Sequence, residues 1–344
     1  MNKKNIYIGW DIGGAHTKYT TSKEKSFSFN SKIIPLKIWN NLDHLEKIIN
    51  DVHNKYLKSY NIINAISMSA EMCDIFDNRK EGVRKILSLF DKKLFKNYIY
   101  SSKYGIIENS KKLNHQTVAS MNWHIIANYL RSIRKNLIAI DLGSTTTDII
   151  LIRNHKCINK RVDDLSGLIS SELLYTGILR TPIFSIIKRI RISDKYYHLI
   201  PEYYATMADV YRLLDIITLK EDYSDTADGR SKSKSDSLAR VSRSLGFDYK
   251  PKNKKLIISI CEKIMSEHLD QISYNIEDHV NKNYKHIKSL ELVGMGVGKS
   301  IIKKICIRNK WFYKDIGNMI DIRYTSNLEN VSTTMPSFLL SLLV

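Results

Sequence analysis

One local device occurs twice in this chain, and it restricts the fold more than any other feature. The first copy runs Asp11-Ile12-Gly13-Gly14-Ala15-His16-Thr17-Lys18. The second runs Asp141-Leu142-Gly143-Ser144-Thr145-Thr146-Thr147-Asp148. Each follows an apolar run, Ile6-Tyr7-Ile8-Gly9-Trp10 in one case and Leu137-Ile138-Ala139-Ile140 in the other. Both therefore read as strand, carboxylate, glycine-hydroxyl turn, strand. Such a turn offers backbone N–H groups and hydroxyls to an anion, while its Asp can hold a hard cation. Two of them facing one another would clamp a polyphosphate and its Mg²⁺. Asp11 and Asp141 are thus expected as metal ligands and catalytic groups. Gly13, Gly14, Thr17 and Lys18, with Gly143, Ser144, Thr145 and Thr146, are expected to bind phosphate oxygens.

Strands alternate with helices around both copies, the pattern of an α/β fold. Strands are expected at Asn5–Asp11, Thr17–Ser22, Lys25–Asn30, Ile62–Ser69 and Asn97–Ser101, and helices at Asn41–Tyr60, Glu81–Leu94 and Thr117–Arg134. The apolar spacing past residue 153 predicts helices at Leu165–Thr176, Ile183–Ile190, Glu202–Ile217, Leu238–Leu245 and Lys255–Asn281. A strand at Ser289–Val293 then feeds a glycine loop and a helix at Lys299–Arg308. The polar stretch Asp222–Asp236 reads either as a mobile loop or lid, or as a plain solvated connection. A chain of 344 residues has room for two domains. We expect a division into 1–135 and 136–344, the second carrying a helical insertion at about 165–285 and the glycine loop 294–298. The extreme C-terminus could cross back to the first.

That loop, Gly294-Met295-Gly296-Val297-Gly298-Lys299-Ser300, resembles a phosphate-binding P-loop only superficially. The P-loop needs glycine where Val293 stands. What remains is a strand-to-helix turn with close backbone approach, able to hold an anion or an adenosine at the helix start, or nothing at all. Gly294, Gly296 and Gly298 are kept as ligand-binding candidates on that basis.

Composition narrows the setting. Hydrophobic content is 43% and charged content 26%, as in globular proteins. No apolar run approaches the roughly 20 residues of a bilayer span, and Asp11 with its two glycines breaks up any secretory leader. Cys73, Cys157, Cys261 and Cys306 have neither metal-ligand spacing nor a disulfide pattern, which suits a reducing cytoplasm. The net charge of +19 is dispersed through every segment rather than gathered on one stripe. It therefore argues for neither nucleic acid nor a membrane as partner. Monomer and homodimer are both left open.

The two Asp-Gly turns followed by a late glycine loop resemble, in order, the elements of the actin / sugar kinase / Hsp70 ATPase superfamily. That resemblance implies a two-lobed actin-like fold, a duplicated ribonuclease H-like α/β unit with a cleft between lobes. It also implies phosphate binding by the first two elements and adenosine contact by the third. A narrower resemblance covers most of the chain. The opening Gly9–Lys18 is similar to that of hydantoinase/oxoprolinase-related proteins of the tetrahydromethanopterin-linked C1-transfer pathway. So are Met68–Asp74 followed by Arg79–Val83, Ala119–Trp123, Asp141–Asp148, Glu172–Pro182, Tyr204–Tyr211 and Thr226–Arg230. Two positions depart: His16 stands where Asn is frequent, and Ser171 where Gly is common.

The narrower resemblance implies a transferase of methanofuran- or methylofuran-type cofactor biosynthesis. It would join an aminomethylfuran methyl diphosphate to a tyrosine- or tyramine-type phenol and release diphosphate. The partners would be small molecules, with Mg²⁺ as cofactor and either ATP or the diphosphate substrate in the nucleotide slot. Lys18, Arg79 and Arg180 are candidate cations for the diphosphate. Trp123 or Tyr175 could face the electron-poor carbon, although a helical Trp also suits a core. A phenol titrates near pH 10, so a base is needed, and Glu71, Asp74, Asp164 and Glu172 are the candidates. Two other classes stay open. One is an ATP-dependent hydantoinase/oxoprolinase-like hydrolase or small-molecule kinase. The other is a non-catalytic nucleotide-binding assembly protein.

Overall fold

A computed structural model describes residues 3–23, 29–91, 95–109, 114–285, 290–320 and 331–343. Its first elements are β1 (Lys4–Ile12), β2 (His16–Lys23), β3 (Phe29–Pro35), α1 (Asp43–Leu57), β4 (Tyr60–Met68), α2 (Arg79–Ser88), β5 (Lys96–Ser101), β6 (Gly105–Glu108) and α3 (Asn122–Ile133). Next come β7 (Asn136–Leu142), β8 (Thr147–Arg153), β9 (Lys156–Cys157), α4 (Asp164–Ile169), β10 (Leu173–Leu174), α5 (Ile183–Ile186), β11 (Arg189–Ile192) and β12 (Lys195–His198). The last are α6 (Met207–Leu213), α7 (Lys234–Arg243), α8 (Lys254–Asn283), β13 (Glu291–Met295), α9 (Lys299–Arg308), β14 (Tyr313–Asp315) and α10 (Met335–Leu343). The chain divides into two compact units. One comprises Met1–Leu137, Ile150–Gly167 and Asp315–Val344; the other comprises Ile138–Ile149 and Leu168–Lys314.

The first unit is built on a six-stranded sheet of order β3-β2-β1-β4-β5-β6. β1, β4 and β5 run parallel, and β2, β3 and β6 are antiparallel to their neighbours. Parallel neighbours require crossovers of a dozen or more residues, and α1 and α2 lie in those connections. β1 is central and its last seven residues are almost wholly buried, which accounts for its near-continuous apolar run. Trp10 is fully buried there and donates its indole N–H to Asn64 Oδ1 (2.9 Å). α10 lies against the same strands. Its Ser337 hydroxyl meets that of Thr20 (3.0 Å), its Ser341 carbonyl accepts from Ser22 Oγ (3.0 Å), and Phe338 contacts Phe29 (ring centroids 5.0 Å). The first turn joins β1 to β2, with Asp11 opposite Lys18 and Ile12 opposite Thr17 in the antiparallel register.

The second sheet has the order β10-β8-β7-β13-β14, with β9 paired to β8. The second turn joins β7 to β8. The segment between β8 and β13 carries α4 to α8 and the separate β11–β12 hairpin.

Four expectations need correction here. The helix expected over Leu165–Thr176 ends at Ile169, because Ser171 takes a left-handed φ of 56° and β10 then pairs with β8. Its apolar residues Leu165, Leu168 and Ile169 are exposed, so their spacing does not mark a core face. Of Ile183–Ile190, only the four residues of α5 are helical. The alternating Arg189-Ile190-Arg191-Ile192 forms a strand, as period-2 patterning favours. Glu202–Ile217 is helical only over α6, which starts at a capping box between Thr206 and Asp209.

The Asp222–Asp236 stretch is neither lid nor plain solvated connection. Asp222 is buried and pairs with Arg212, while Asp228 pairs with Arg240 at 3.0 Å and with Arg243 at 3.5 Å. Asp209 accepts from both Arg212 and Arg240 at 2.8 Å, and Arg240 is wholly buried. Buried charge is tolerated only when paired, and this lattice ties the polar stretch to α6 and α7. Of the expected strand Lys25–Asn30, residues 25–28 lie outside the described residues, as does residue 289 of Ser289–Val293.

Candidate functional site

The two turns close with the same hydrogen bond. Gly13 N–H donates to His16 O (3.0 Å), and Gly143 N–H donates to Thr146 O (2.9 Å). These two amides, expected to hold phosphate oxygens, are therefore engaged in shaping their own turns.

In the first turn Asp11 is nearly buried, and its Oδ2 lies 3.6 Å from Lys18 Nζ. The buried Thr17 hydroxyl meets no hydrogen-bond partner among the described residues. An unmet buried hydroxyl is uncommon, and a phosphate oxygen is one group that would meet it. The segment after β4 runs alongside: Ser69 N–H donates to Ile12 O (2.9 Å), and a side chain on Gly14 would fall 2.8 Å from Cys73 Sγ.

In the second turn the carbonyls of Gly143 and Ser144 receive the N–H groups of Ile178 (3.1 Å), Leu179 (3.1 Å) and Arg180 (2.9 Å). Arg180 Nη1 also lies 3.5 Å from Thr145 Oγ1, so this cation is fixed beside the turn hydroxyls. The glycine loop packs on the same turn. Gly296 has a φ of +79°, and a side chain there would collide with Asp141 Oδ1 and the Leu142 carbonyl. Glycine is required at that point on both counts. Gly298 donates its N–H to Leu142 O (2.8 Å), while Gly294 gives room to the Tyr313 ring. The loop that resembled a P-loop thus supports the second carboxylate. Behind it a polar chain leads inward. Thr147 Oγ1 donates to Thr176 O (2.7 Å), and His268 bridges Thr176 Oγ1 (2.8 Å) and the Tyr211 hydroxyl (2.6 Å). Burial pushes His268 down to about 4, so the imidazole is neutral near pH 7.

The first unit also holds a second polar cluster, and it gathers several of the expected residues. Glu71 is fully buried, and its Oε1 accepts from the Ser120 hydroxyl at 2.7 Å. Gly82 of α2 lies so close that any side chain would run into the Glu71 backbone. Arg79 Nη2 is 3.8 Å from Asp164 Oδ2, and Arg161 Nη2 is 2.9 Å from Asp164 Oδ1. The Arg161 guanidinium lies over the Trp123 ring, 5.3 Å from its centroid. Burial is the main cause that raises the Glu71 carboxyl to about 7; the Ser120 bond, Glu71's own backbone N–H and Arg79 pull it down, and Asp164 adds to the rise. Glu71 Oε2 and the Trp123 indole N–H are both buried without a hydrogen-bond partner among the described residues.

Asp74 and Tyr175 are exposed. Glu172 is buried in the second unit, where its carbonyl accepts from Ile149 N–H (2.8 Å). His16 opens β2 and closes the first turn through its carbonyl. Sequence reasoning did not single out Ser120, Arg161 or His268. Their partners are distant in sequence, and the left-handed φ of Ser120 (53°) leaves no mark on composition.

Comparison with known proteins places the chain. A model of the hydantoinase/oxoprolinase family matches residues 63–310. The chain belongs to that family. The (4-{4-[2-(gamma-L-glutamylamino)ethyl]phenoxymethyl}furan-2-yl)methanamine synthase of Methanocaldococcus jannaschii is 31% identical over 341 residues, covering 97% of this chain and 96% of the relative. The synthase of the same description from Methanococcus vannielii is 34% identical over 217 residues, covering 62% of this chain and 93% of that one. Among solved structures, a nucleotide-free acetone carboxylase superposes with a TM-score of 0.56 at 10% identity, over 99% of this chain and 70% of that chain. With the two sheets described above, this bears out the expected actin-like α/β fold. No helix among the described residues is long and apolar enough to cross a membrane.

Proposed function

We propose that this protein forms the aryl ether of a furan cofactor. It would join an aminomethylfuran methyl diphosphate to the phenol of a tyrosine- or tyramine-type acceptor and release diphosphate. The observation that carries this reading is the end-to-end similarity to the Methanocaldococcus jannaschii synthase. The description of that relative includes a phenoxymethyl-furan linkage. Assembling such a linkage from its two halves means making a bond between a phenolic oxygen and a furan-borne methylene carbon.

The chain's own residues suit the leaving group. Each of the two congruent turns offers hydroxyls, Thr17 in one and Ser144, Thr145 and Thr146 in the other. With Gly13 and Gly143 N–H closing the turns, the N–H groups of Gly14 and Ser144 would hold the diphosphate oxygens. Arg180, beside Thr145, would take two diphosphate oxygens in a fork, as guanidinium geometry allows. Negative charge grows on the diphosphate as the carbon–oxygen bond breaks, so these donors stabilise the transition state more than the ground state. No cluster of three metal-ligating side chains occurs among the described residues. Magnesium beside phosphates is usually held by one or two carboxylates with substrate oxygens and water, and Asp11 in the first turn and Asp141 in the second are each proposed as such a carboxylate. Bound there, it would supply positive charge to the leaving group.

The test is direct. Purified protein is incubated with aminomethylfuran methyl diphosphate, Mg²⁺ and tyrosine, tyramine or γ-glutamyltyramine in turn, and the products are read by mass spectrometry with a parallel diphosphate assay. Ether and diphosphate in equal amounts with one of these phenols is the expected result. Absence of ether with all three, accompanied by ATP hydrolysis on an amide substrate, would overturn the reading in favour of a hydrolase.

A further inference from the structure

The cluster around Glu71 forms a closed ring of contacts within one unit. Glu71 is held by Ser120, and Trp123 follows three residues later at the start of α3. Arg161 covers Trp123 and pairs with Asp164, and Asp164 pairs with Arg79. α2, which begins at Arg79, packs back onto the Glu71 backbone through Gly82. Two polar atoms of these residues are buried and unmet among the described residues, and they are of opposite kinds: Glu71 Oε2 is an acceptor and Trp123 Nε1–H a donor. A neutral hydroxyl can answer both at once, giving its proton to the carboxylate and taking the indole N–H on its oxygen. Neither a carboxylate nor an ammonium ligand can do this, since the first only accepts and the second only donates.

We propose that this ring is the acceptor subsite, that it takes a phenolic hydroxyl between Glu71 and Trp123, and that Glu71 is the general base. The proposal rests on the ether-forming reading above and deepens it. In the step, the phenolic O–H bond breaks and its proton passes to Glu71 Oε2. The phenolic oxygen forms its bond to the furan-borne methylene carbon, while the bond from that carbon to the diphosphate oxygen breaks and its electron pair leaves with diphosphate. The carboxyl raised to about 7 by burial is better matched to a phenol near pH 10 than an ordinary carboxylate would be. The charged groups acting on it are Asp164 and Arg79, with Arg161 and Asp163 next to them. Among the candidate carboxylates of this unit, Asp74 is exposed and Asp164 is shared between two arginines, whereas Glu71 is buried with one oxygen unmet among the described residues. Ser69 and Cys73, two residues either side of Glu71, border the first phosphate turn, so base and leaving-group donors are brought near by one short segment.

The experiment compares wild type with Glu71→Gln and Trp123→Phe. In ether formation, Glu71→Gln should lower kcat/KM by 100-fold or more, the usual scale of a general base, and should abolish a rising pH limb centred near 7. Fluorinated tyramines, whose phenols ionise more readily, should recover part of that loss. Trp123→Phe keeps a ring under Arg161 but deletes the N–H, and should raise the KM for the phenol about tenfold with little change in kcat. A Glu71→Gln variant with wild-type rate and the same pH limb, or no recovery with acidic phenols, would overturn the proposal. If wild type makes no ether, the functional reading fails and the subsite is judged by ultraviolet difference titration with tyramine alone. Weaker tyramine binding by Trp123→Phe than by wild type then supports the subsite, and equal binding overturns it.

Discussion

Replacing Glu71 by Gln should make the fold more stable at alkaline pH, and the gain should vanish in acid. The carboxyl titrates near 7 in the folded chain and near 4.3 in an unfolded one. Between those values the folded state binds the extra proton, so stability falls as pH rises through the window. It is fully present below about pH 4 and lost above about pH 7. Each factor of ten in proton affinity is worth about 1.36 kcal/mol, so the wild type gives up on the order of 3 kcal/mol across the window. Gln is uncharged at every pH and can still accept from Ser120 through its carbonyl oxygen, so the variant lacks this slope. Urea unfolding of both proteins at pH 5, 6, 7 and 8, followed by far-ultraviolet circular dichroism, measures the difference directly. The variant should gain on the wild type by about 2.5 kcal/mol from pH 5 to pH 8. A difference that stays flat within about 0.5 kcal/mol would show that the burial argument for Glu71 is wrong.

Three further outcomes are expected. Asp209→Ala removes the carboxylate shared by Arg212 and the wholly buried Arg240, along with half of the α6 capping box; it should cost about 3–5 kcal/mol in urea unfolding. A loss under about 1 kcal/mol would mean that Asp222 and Asp228 suffice for both arginines. Gly296→Ala combines a left-handed backbone with a collision at Asp141, and should cost about 3 kcal/mol or more. It should also weaken inorganic diphosphate binding measured by calorimetry; an unaffected affinity would separate the glycine loop from the second turn. Ser171→Gly should change the melting midpoint little or raise it, because relief of the left-handed conformation, about 1–2 kcal/mol, is partly offset by about 0.5–1 kcal/mol of added chain freedom. A drop of several degrees would refute that account.

The sequence disclosed the parts of the molecule where local chemistry and position coincide. Both Asp-Gly turns were legible because an apolar strand, a carboxylate and a glycine-hydroxyl turn lie in one stretch of chain, and the structure gives them matching hydrogen bonds. The glycines at 294, 296 and 298 were legible as a tight turn, but what they approach, Asp141, Leu142 and Tyr313, depends on strands brought together from elsewhere. The same holds for the carboxylates. Glu71, Asp74, Asp164 and Glu172 look equivalent as residue types, and only burial and partners distinguish them. Arg161 was invisible because its aromatic partner is 38 positions upstream. Helix expectations failed where isoleucine and leucine spacing suggested a buried face, as at 165–176, and an αL residue and a short strand took over. Polar sequence misled in the opposite sense at 222–236, where aspartates read as solvated are held by buried arginines.

The seating of α10 against β1 and β2 has a bearing on how the molecule is made. Strands β1 to β6 are synthesised first, yet a wall of their core is supplied by residues 335–343, some two hundred and thirty residues after β6. During translation the early sheet must wait, with part of its apolar surface uncovered, while the whole of the other unit emerges. Contacts this distant in sequence slow folding and lengthen exposure to aggregation. Growth conditions that slow synthesis or engage chaperones should therefore govern the soluble yield of this protein more than they would for a chain whose units are contiguous.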